Sequence, residues 1–230
     1  MAKKLETRKV GNLDICPMVN GLWQLGNGSV GDSVTNDDIV NAMLDHSNAG
    51  LFTFDGADHY GDAEIVMGLH KIRNESDMNR KRCIYFTKWV PDMDIEISYK
   101  NTENAIDYAL KRMKTNQLDM LQFHWWDYKD NRYIKVLQYL MKLQKIGKIN
   151  NLSLTNFNTK YLMNIYNNID GINIASNQIP YSLIDLRVEK NMIKFCELKN
   201  IKLLTYGTLL GGFLSNKYLN TKKPIVTSYK

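Results

Sequence analysis

Cysteine is scarce in this sequence, with three thiols in 230 residues. Cys16, Cys83 and Cys196 are far apart, and no two of them form a CxxC pair. Their odd number and wide spacing argue against a disulfide framework, a zinc site and a dithiol redox centre. We therefore expect reduced, mostly buried thiols and no bound metal.

Long apolar runs are also missing. No segment approaches the roughly 20 apolar residues that a membrane-spanning helix needs. The N-terminal segment MAKKLETRKVGNLD contains no apolar stretch of the kind found in signal peptides. The sequence therefore predicts no membrane span and a cytoplasmic location.

Charge of one sign is not concentrated anywhere along the chain. The formal net charge is +6, but the basic residues are interleaved with acidic ones instead of forming one stripe. A nucleic-acid-binding surface needs clustered basic residues. We interpret the charge as a solvated surface and predict no nucleic-acid partner.

The residues that are present favour one α/β domain spanning residues 1–230. Hydrophobic residues make up 44% of the chain, and no linker or change of composition divides it. Seven short apolar runs have the length of strands. They are MVNGLW (18–23), LFTF (51–54), CIYFT (83–87), LDMLQF (118–123), INNLSL (149–154), GINIAS (171–176) and IKLLTY (201–206).

Segments of helical periodicity lie between these runs, with apolar residues at steps of three and four on one face. Two such faces are Ile106, Ala109, Leu110 and Met113, and Ile134, Leu137 and Met141. Start signals agree, since Thr35 and Asp38 form a capping-box pattern. Asp62 is placed to cap the second helix, and Thr102 stands before the third.

Strands separated by helices pair in parallel through right-handed crossovers. Seven strands and six helices, after a hairpin that turns at VGNLD (10–14), fit a (β/α)8 TIM-type barrel better than an open sheet. A complete barrel takes about 250 residues, so the last βα unit is missing. We expect a barrel truncated after strand seven. Either the sequence is a fragment, or the barrel has an open edge that must be covered, as in a homo-oligomer.

Titratable residues stand at the carboxyl ends of three successive strands. Asp55 closes the second strand, with Tyr60 five residues further on. Lys88 closes the third strand and His124 the fourth. Because the C-terminal ends of parallel barrel strands face one mouth, these side chains are expected to converge.

The four side chains suit proton transfer to a reduced carbonyl group. A phenol, with an ordinary pKa of about 10, needs a nearby cation to act as an acid at neutral pH. Lys88 is the expected cation, held by Asp55, and His124 is expected to donate a hydrogen bond to the substrate oxygen. Asp58 and His59 are assigned to the loop itself.

Each of these residues has an ordinary structural explanation when considered alone. Asp55 can cap a turn and Lys88 can extend to solvent. His124 and Tyr60 can be core residues. Their occurrence together at neighbouring strand ends makes a shared site the better interpretation.

The sequence resembles the aldo-keto reductase family over essentially the whole chain. Three segments carry the resemblance: FDGADHYGDAE, FTKW and LDMLQFHWWD. It implies Tyr60 as general acid, in a tetrad with Lys88, Asp55 and His124. It also implies NADPH-dependent reduction of aldehydes or ketones to alcohols by hydride transfer.

Later segments resemble the parts of that family that contact the cofactor. SLTNF (153–157) and SNQIPYS imply that the carboxamide is held by Thr155, which stands where serine is usual, by Asn156 and by Gln178. In TYGTLLGGFLSNKY, the resemblance implies stacking of Tyr206 on the nicotinamide. It also implies backbone amides from about Leu209 and Gly211 around the pyrophosphate.

The substrate side and the adenosine side are less well specified. Trp23, Trp89 and Trp125 lie at or just past strand ends and can form the wall of an apolar substrate pocket, although such aromatics are often core residues. Nothing in the chain matches the basic residues with which the family grips the adenosine 2′-phosphate. NADPH rather than NADH is therefore implied by kinship alone.

Two local patterns point to other dehydrogenase classes. GNGSVG (26–31) fits the GxGxxG fingerprint, but the helix cap at Thr35 lies too far on for a dinucleotide-binding turn, so these glycines are predicted to form a loop over the barrel mouth. YLNTK (218–222) fits YxxxK, but Pro224 leaves it no helix.

Two other functions stay open. The barrel also resembles channel β subunits that keep the reductase fold, so a catalytically weak regulatory or binding subunit is the alternative to an enzyme. A lyase barrel with Lys88 as a Schiff-base lysine has less support, because the adjacent Asp55 would keep the amine protonated.

Overall fold

The computed structural model of the chain describes residues 6–26, 31 and 33–220. Within them the strands are β1 (Arg8–Val10), β2 (Leu13–Ile15), β3 (Asn20–Gly21), β4 (Thr53–Asp55), β5 (Ile84–Trp89), β6 (Leu118–His124), β7 (Ile149–Thr155), β8 (Ser176–Pro180) and β9 (Lys202–Tyr206). The α-helices are α1 (Asn36–Asn48), α2 (Ala63–Glu75), α3 (Tyr99–Arg112), α4 (Tyr133–Lys145), α5 (Thr159–Asn168) and α6 (Arg187–Leu198).

Strands β3 to β9 form one parallel sheet in chain order, with one helix between each pair of neighbours. This alternation confirms the predicted barrel fold lacking its last unit, and no pairing of β3 with β9 closes the sheet among the described residues. The carboxyl ends of the seven strands lie at one mouth. No helix in the described ranges is long and apolar enough to cross a membrane.

The predicted N-terminal hairpin is confirmed as β1 paired antiparallel with β2, with Val10 opposite Leu13. Gly11, in its turn, has a φ of +56°, and a Cβ there would lie 2.0 Å from Oδ1 of Asn151. The same Oδ1 accepts the backbone N–H of Asn12 at 3.3 Å. Glycine is therefore required both by the turn conformation and by the contact with β7.

Two strands differ from the sequence interpretation. The sixth strand of the sheet is β8, beginning at Ser176, and not GINIAS (171–176). Ile172 and Ile174 in that segment are buried, but the segment forms no strand. Its apolar residues belong to a buried loop, and such a loop has the same apolar sequence pattern as a strand. The first strand is also shorter than predicted, because a 3-10 turn begins at Trp23.

The helix starts were predicted in part. Thr35 and Asp38 form the predicted capping box of α1. Asp62 stands at the N-cap position of α2, as predicted, but its carboxylate accepts a hydrogen bond from Asn36 and caps no backbone N–H. Thr102 lies inside α3; Ser98 caps that helix and accepts the Oγ1 hydrogen of Thr102 on its carbonyl.

Two predicted patterns reach beyond the described residues. Residues 27–30 of the glycine segment and residues 221 and 222 of the YxxxK segment lie outside them, as does Pro224. The described start of α1 at Asn36 nevertheless separates the glycine segment from its helix, which argues against a dinucleotide-binding turn.

The core lies on both faces of the sheet. All seven residues of β6 are buried, as expected for a parallel strand covered by helices outside and by the barrel interior inside. The predicted apolar face of α3 is confirmed, since the four residues assigned to it are buried. The last of them, Met113, lies at the C-cap of the helix. In α4, Leu137 is buried while Ile134 and Met141 are partly buried against the core.

A buried ion pair connects α2, α3 and β5. Glu64 is fully buried and accepts a 2.6 Å hydrogen bond from Thr87. Its Oε2 lies 3.1 Å from Nε of Arg112, an ionic contact not aligned as a hydrogen bond. Nη2 of Arg112 donates to the carbonyl of Gly61 at 2.5 Å. Burial raises the pKa of Glu64, while Thr87 and Arg112 oppose that rise.

We expect Arg112→Met to lower the free energy of unfolding by about 3 kcal/mol, because it leaves a buried carboxylate without its cation. Urea unfolding measures the loss. Arg187→Met is the matched control: Arg187 pairs with Asp185 at 2.7 Å on the surface, with its side chain 77% exposed, so its loss should be below about 1 kcal/mol. Equal losses in the two variants would contradict the role assigned to the buried pair.

Candidate functional site

The structure brings the four predicted side chains to the barrel mouth. Asp55 ends β4, Lys88 is the penultimate residue of β5, and His124 ends β6. All three are buried, with exposures of 7%, 2% and 7%. Tyr60 lies on the loop before α2, with its ring centroid 5.1 Å from Nζ of Lys88.

The carboxylate of Asp55 is the centre of this cluster. Lys88 donates from Nζ to Oδ2 at 2.5 Å and to the carbonyl of Gly56 at 3.1 Å. Gln122 donates to Oδ1 at 2.5 Å and Gln178 to Oδ2 at 3.1 Å. Three side-chain donors thus hold one buried carboxylate, which satisfies the hydrogen-bonding capacity of both its oxygens.

Tyr60 is held by the backbone around it. Gly61 has a φ of +52°, and a Cβ on Gly26 would lie 2.7 Å from Cα of Tyr60. Small residues on both sides therefore let the β3–α1 segment pass directly against the tyrosine loop. Arg112 binds the carbonyl of Gly61 from the other side, which links the buried ion pair to the position of Tyr60.

The ionisation of Tyr60 differs from the prediction. Burial raises its pKa above the ordinary value, and the negative charge of Asp55 adds to the rise. The pKa of Tyr60 is therefore raised and not lowered, while the expected stabilisation of its phenolate by Lys88 stays a prediction. Burial is the larger cause, and Lys88 is itself paired with Asp55 at 2.5 Å. The phenol keeps its proton across neutral pH.

His124 is a neutral imidazole. Burial lowers its pKa to about 4, with smaller contributions from His59 and Lys88. Its Nε2 lies 3.5 Å from Nδ2 of Asn156, and its ring centroid is 4.5 Å from that of Trp126. A neutral imidazole has one N–H, so it can donate one hydrogen bond to a ligand oxygen.

Asp58 and His59 lie on the loop, as assigned. Nδ1 of His59 is 2.6 Å from Oδ1 of Asp58, and Oδ2 accepts the backbone N–H of Val90 at 3.2 Å. The ring of His59 meets Tyr60 edge to face at 4.8 Å. The aspartate therefore ties the tyrosine loop to the end of β5.

Four of the residues proposed for cofactor contact also meet at the mouth. Thr155 ends β7, and its buried Oγ1 has no hydrogen-bond partner within the described residues. Asn156, with a φ of +63°, accepts on Oδ1 the hydroxyl of Tyr206 at 2.8 Å. Its backbone N–H donates to the carbonyl of Gln178 at 2.8 Å.

A cavity of about 380 Å³ opens beside these residues, between α5, α6 and the end of β8. Asn156, Tyr206 and Arg187 contribute to its lining. Leu209 and Gly211 follow β9 at an exposed 3-10 turn, where Gly211 has a φ of +64°. The structure describes no side-chain contact between this turn and the cluster around Asp55.

The tryptophan prediction needs correction. Trp125 is fully buried, and its indole N–H lies 2.9 Å from the carbonyl of Asp127, so it is a core residue and forms no pocket wall. Trp89 is partly buried and packs on Phe123 with 6.1 Å between ring centroids. Trp23 is 48% exposed near the mouth end of β3.

Two residues of the cluster were missed. Trp126 is 63% exposed and covers His124, and Gln122 donates to Asp55. Gln122 was detectable, because it lies two residues before His124 and therefore on the same face of β6. The described residues contain no group of three or more His, Cys, Asp or Glu side chains that could hold a metal.

Comparison with known proteins identifies the family. The model of the aldo/keto reductase family matches residues 17–228. The chain belongs to this family. The chloroplastic pyridoxal reductase of Arabidopsis thaliana is 25% identical over 94% of this chain and 63% of its own length. The aldo-keto reductase YhdN of Bacillus subtilis is 25% identical over 86% of this chain and 59% of its own length.

The solved structures of other reductases show the same fold. An aldo/keto reductase from Klebsiella pneumoniae, in complex with NADP and acetate, has a TM-score of 0.75 at 22% identity over 92% of this chain and 70% of its own. The glycerol dehydrogenase of Gluconobacter oxydans has a TM-score of 0.73 at 23% identity over 97% of this chain and 69% of its own. The chain spans 63% or less of the length of the curated relatives named above.

The buried imidazoles give an acid-sensitive stability. Burial lowers the pKa of both His70 and His124 from 6.5 to about 4. Between these pH values the unfolded chain binds protons that the folded chain does not, so stability falls as the pH drops from about 7 to 4. Each histidine contributes on the order of 3 kcal/mol to this fall.

We expect His70→Gln to reduce the slope of unfolding free energy against pH in that window. His46→Gln, a substitution on the exposed side of α1, is the control and should leave the slope unchanged. Urea unfolding from pH 4 to pH 7 measures both. An unchanged slope in His70→Gln would show that His70 is not the titrating group.

Proposed function

We propose that the protein reduces aldehyde or ketone carbonyls to alcohols with NADPH, using Tyr60 as the proton donor. The observation that carries this proposal is the buried contact of Lys88 with Asp55 beside Tyr60 and His124. Four ionisable groups at one barrel mouth, two of them paired in a nearly dry site, are costly unless they serve chemistry.

Each residue has a definite task in this reaction. Tyr60 keeps its proton at neutral pH, because burial raises its pKa. It can therefore deliver that proton to an oxygen that becomes an alkoxide. Lys88, fixed by Asp55, places a positive charge near the phenolate that remains. His124 is neutral and can orient the carbonyl oxygen by a hydrogen bond.

The residues near the cavity fit a nicotinamide group. A carboxamide has both a hydrogen-bond donor and a hydrogen-bond acceptor. Matching donors and acceptors are present in the buried hydroxyl of Thr155 and in the side-chain amides of Asn156 and Gln178. Tyr206 is 43% exposed and presents an aromatic ring. When bound, NADPH supplies the hydride and this chain positions the carbonyl carbon to receive it.

The names of similar proteins support the same reaction class. Relatives include a pyridoxal reductase, a 6-dehydroglucose reductase and a methylglyoxal reductase, and each name describes the reduction of a carbonyl compound. A Klebsiella pneumoniae aldo-keto reductase of the same fold was crystallised with NADPH. These names support the proposed cofactor and reaction. An assay against a panel of aldehydes and ketones would identify the substrate.

We expect Tyr60→Phe to lower kcat for a simple aromatic aldehyde by at least about a hundredfold, because the variant lacks the proton donor. Loss of NADPH absorbance measures turnover. Tyr108→Phe, on the exposed side of α3, serves as control and should retain the wild-type rate. A Tyr60→Phe enzyme of normal activity would exclude the phenol as the acid. Cofactor binding without any turnover in the wild type would favour a regulatory subunit.

We expect Tyr206→Phe to bind NADPH about fivefold more tightly than the wild type. The substitution keeps the ring but removes the hydroxyl that occupies Oδ1 of Asn156, and one such hydrogen bond is worth about 1 kcal/mol. Tyr206→Leu, which removes the ring as well, should bind more weakly than Tyr206→Phe. Quenching of tryptophan fluorescence gives the dissociation constants, and weaker binding by Tyr206→Phe would contradict the proposed competition.

A further inference from the structure

Gln122 is a polar residue in the interior of the barrel. It lies on β6, is fully buried, and stands opposite Lys88 of β5 in the register of the sheet. Residues two apart on a strand share a face. Gln122 therefore faces the same side of the sheet as His124, one step deeper in the barrel.

The amide of Gln122 contacts Asp55 at an atom that Lys88 does not use. Its Nε2 donates to Oδ1 at 2.5 Å, whereas Lys88 and Gln178 both donate to Oδ2. Among the described residues, Gln122 is the one side chain whose hydrogen bond to Oδ1 is seen. The carboxylate is thereby held at both oxygens, which fixes its rotation as well as its charge.

The other end of the same amide is poorly satisfied. Oε1 of Gln122 is buried and has no hydrogen-bond partner in the part of the chain that the structure describes. Its neighbours on this face of the strand, Leu118 and Met120, are apolar and fully buried. An apolar residue would suit the core better than an amide with a buried, unpaired oxygen. Asn74 and Asn177 also have a buried amide oxygen that is unpaired within the described ranges, so the feature that distinguishes Gln122 is its contact with the carboxylate of Asp55.

We propose that Gln122 is a positioning residue for the reductase reaction, which holds Asp55 in the orientation that fixes Lys88 beside Tyr60. This inference rests on the proposed function. Gln122 acts through Asp55 and touches no reacting atom. Without its amide, Oδ1 would be buried with no donor, and a carboxylate in that state takes up a proton more readily. Lys88 would then lose the anion that holds it.

The test compares Gln122→Met with the wild type. Methionine has similar length and no donor, so the barrel interior stays filled. We expect kcat to fall about tenfold with little change in the KM for the aldehyde, since a positioned charge is lost and substrate contacts are kept. The acid limb of the kcat profile should move to higher pH by about one unit.

Gln122→Glu provides a second signature. A carboxyl at this position donates to Asp55 only when it is protonated, and two carboxylates in contact cannot both ionise. Activity of this variant should therefore recover as the pH falls, a trend opposite to that of Gln122→Met. A purely structural role of Gln122 predicts no such reversal.

Asn177→Leu is the matched control. Asn177, on β8, is another fully buried amide whose oxygen has no hydrogen-bond partner among the described residues. Its Nδ2 donates to the carbonyl of Phe157 at 2.7 Å instead of to Asp55. The variant should lose stability without moving the pH profile of kcat. A shift of that profile in both variants would show that loss of any buried amide has this effect, and would overturn the proposal.

Unfolding of the chain without cofactor supplies a readout independent of activity. If Gln122 stabilises the ionised form of Asp55, the stability lost in Gln122→Met should be larger at pH 7 than at pH 4. In Asn177→Leu the loss should be the same at both pH values. An equal loss at both pH values in Gln122→Met would overturn the proposal even if the wild type reduces aldehydes.

Failure of the proposed function would be recognised separately. A wild type that reduces no carbonyl compound would contradict that function. The unfolding comparison would still decide whether Gln122 stabilises Asp55.

Discussion

The contact between Lys88 and Asp55 is the interaction on which the rest of the site depends. Taking both charges out of water costs several kcal/mol per ion, and their attraction repays this only with good geometry and further hydrogen bonds. The barrel supplies these from Gly56, Gln122 and Gln178. These partners lie in different βα units, so the charge pair exists only when the parallel strands β4 to β8 are in register.

A second buried ion pair, Glu64 with Arg112, holds the loop of Tyr60 and the strand of Lys88 in place. Glu64 contacts Arg112 on one side and Thr87 on the other, and Thr87 directly precedes Lys88 on β5. Arg112 in turn holds Gly61, the residue after Tyr60. The tyrosine loop and the lysine strand are thus tied to one carboxylate in the helix layer. Rigid placement of this kind is what proton transfer between groups on different elements requires.

Much of this arrangement could be predicted from the sequence, because strand periodicity and the common direction of parallel strands place Asp55, Lys88 and His124 at one mouth. The features that were missed depend on side-chain contacts and burial that the periodicity of the sequence does not show. Trp125 turns into the core because carbonyls of the following loop accept its indole N–H. The upward shift in the pKa of Tyr60 depends first on burial of its ring and then on the negative charge of Asp55, and no sequence pattern encodes either of them.

The ionisation of Tyr60 also constrains how the site can work. A phenol whose pKa is raised by burial and by Asp55 does not release its proton to a neutral carbonyl. In the proposed reaction it does so only when negative charge develops on the oxygen it faces, so proton delivery would be coupled to reduction. The Lys88 charge is offset by Asp55 before reaction and becomes useful when a phenolate forms. Any change that weakens the hold on Asp55 therefore acts on the proposed acid in two ways, through the position of Lys88 and through the charge of Asp55 itself.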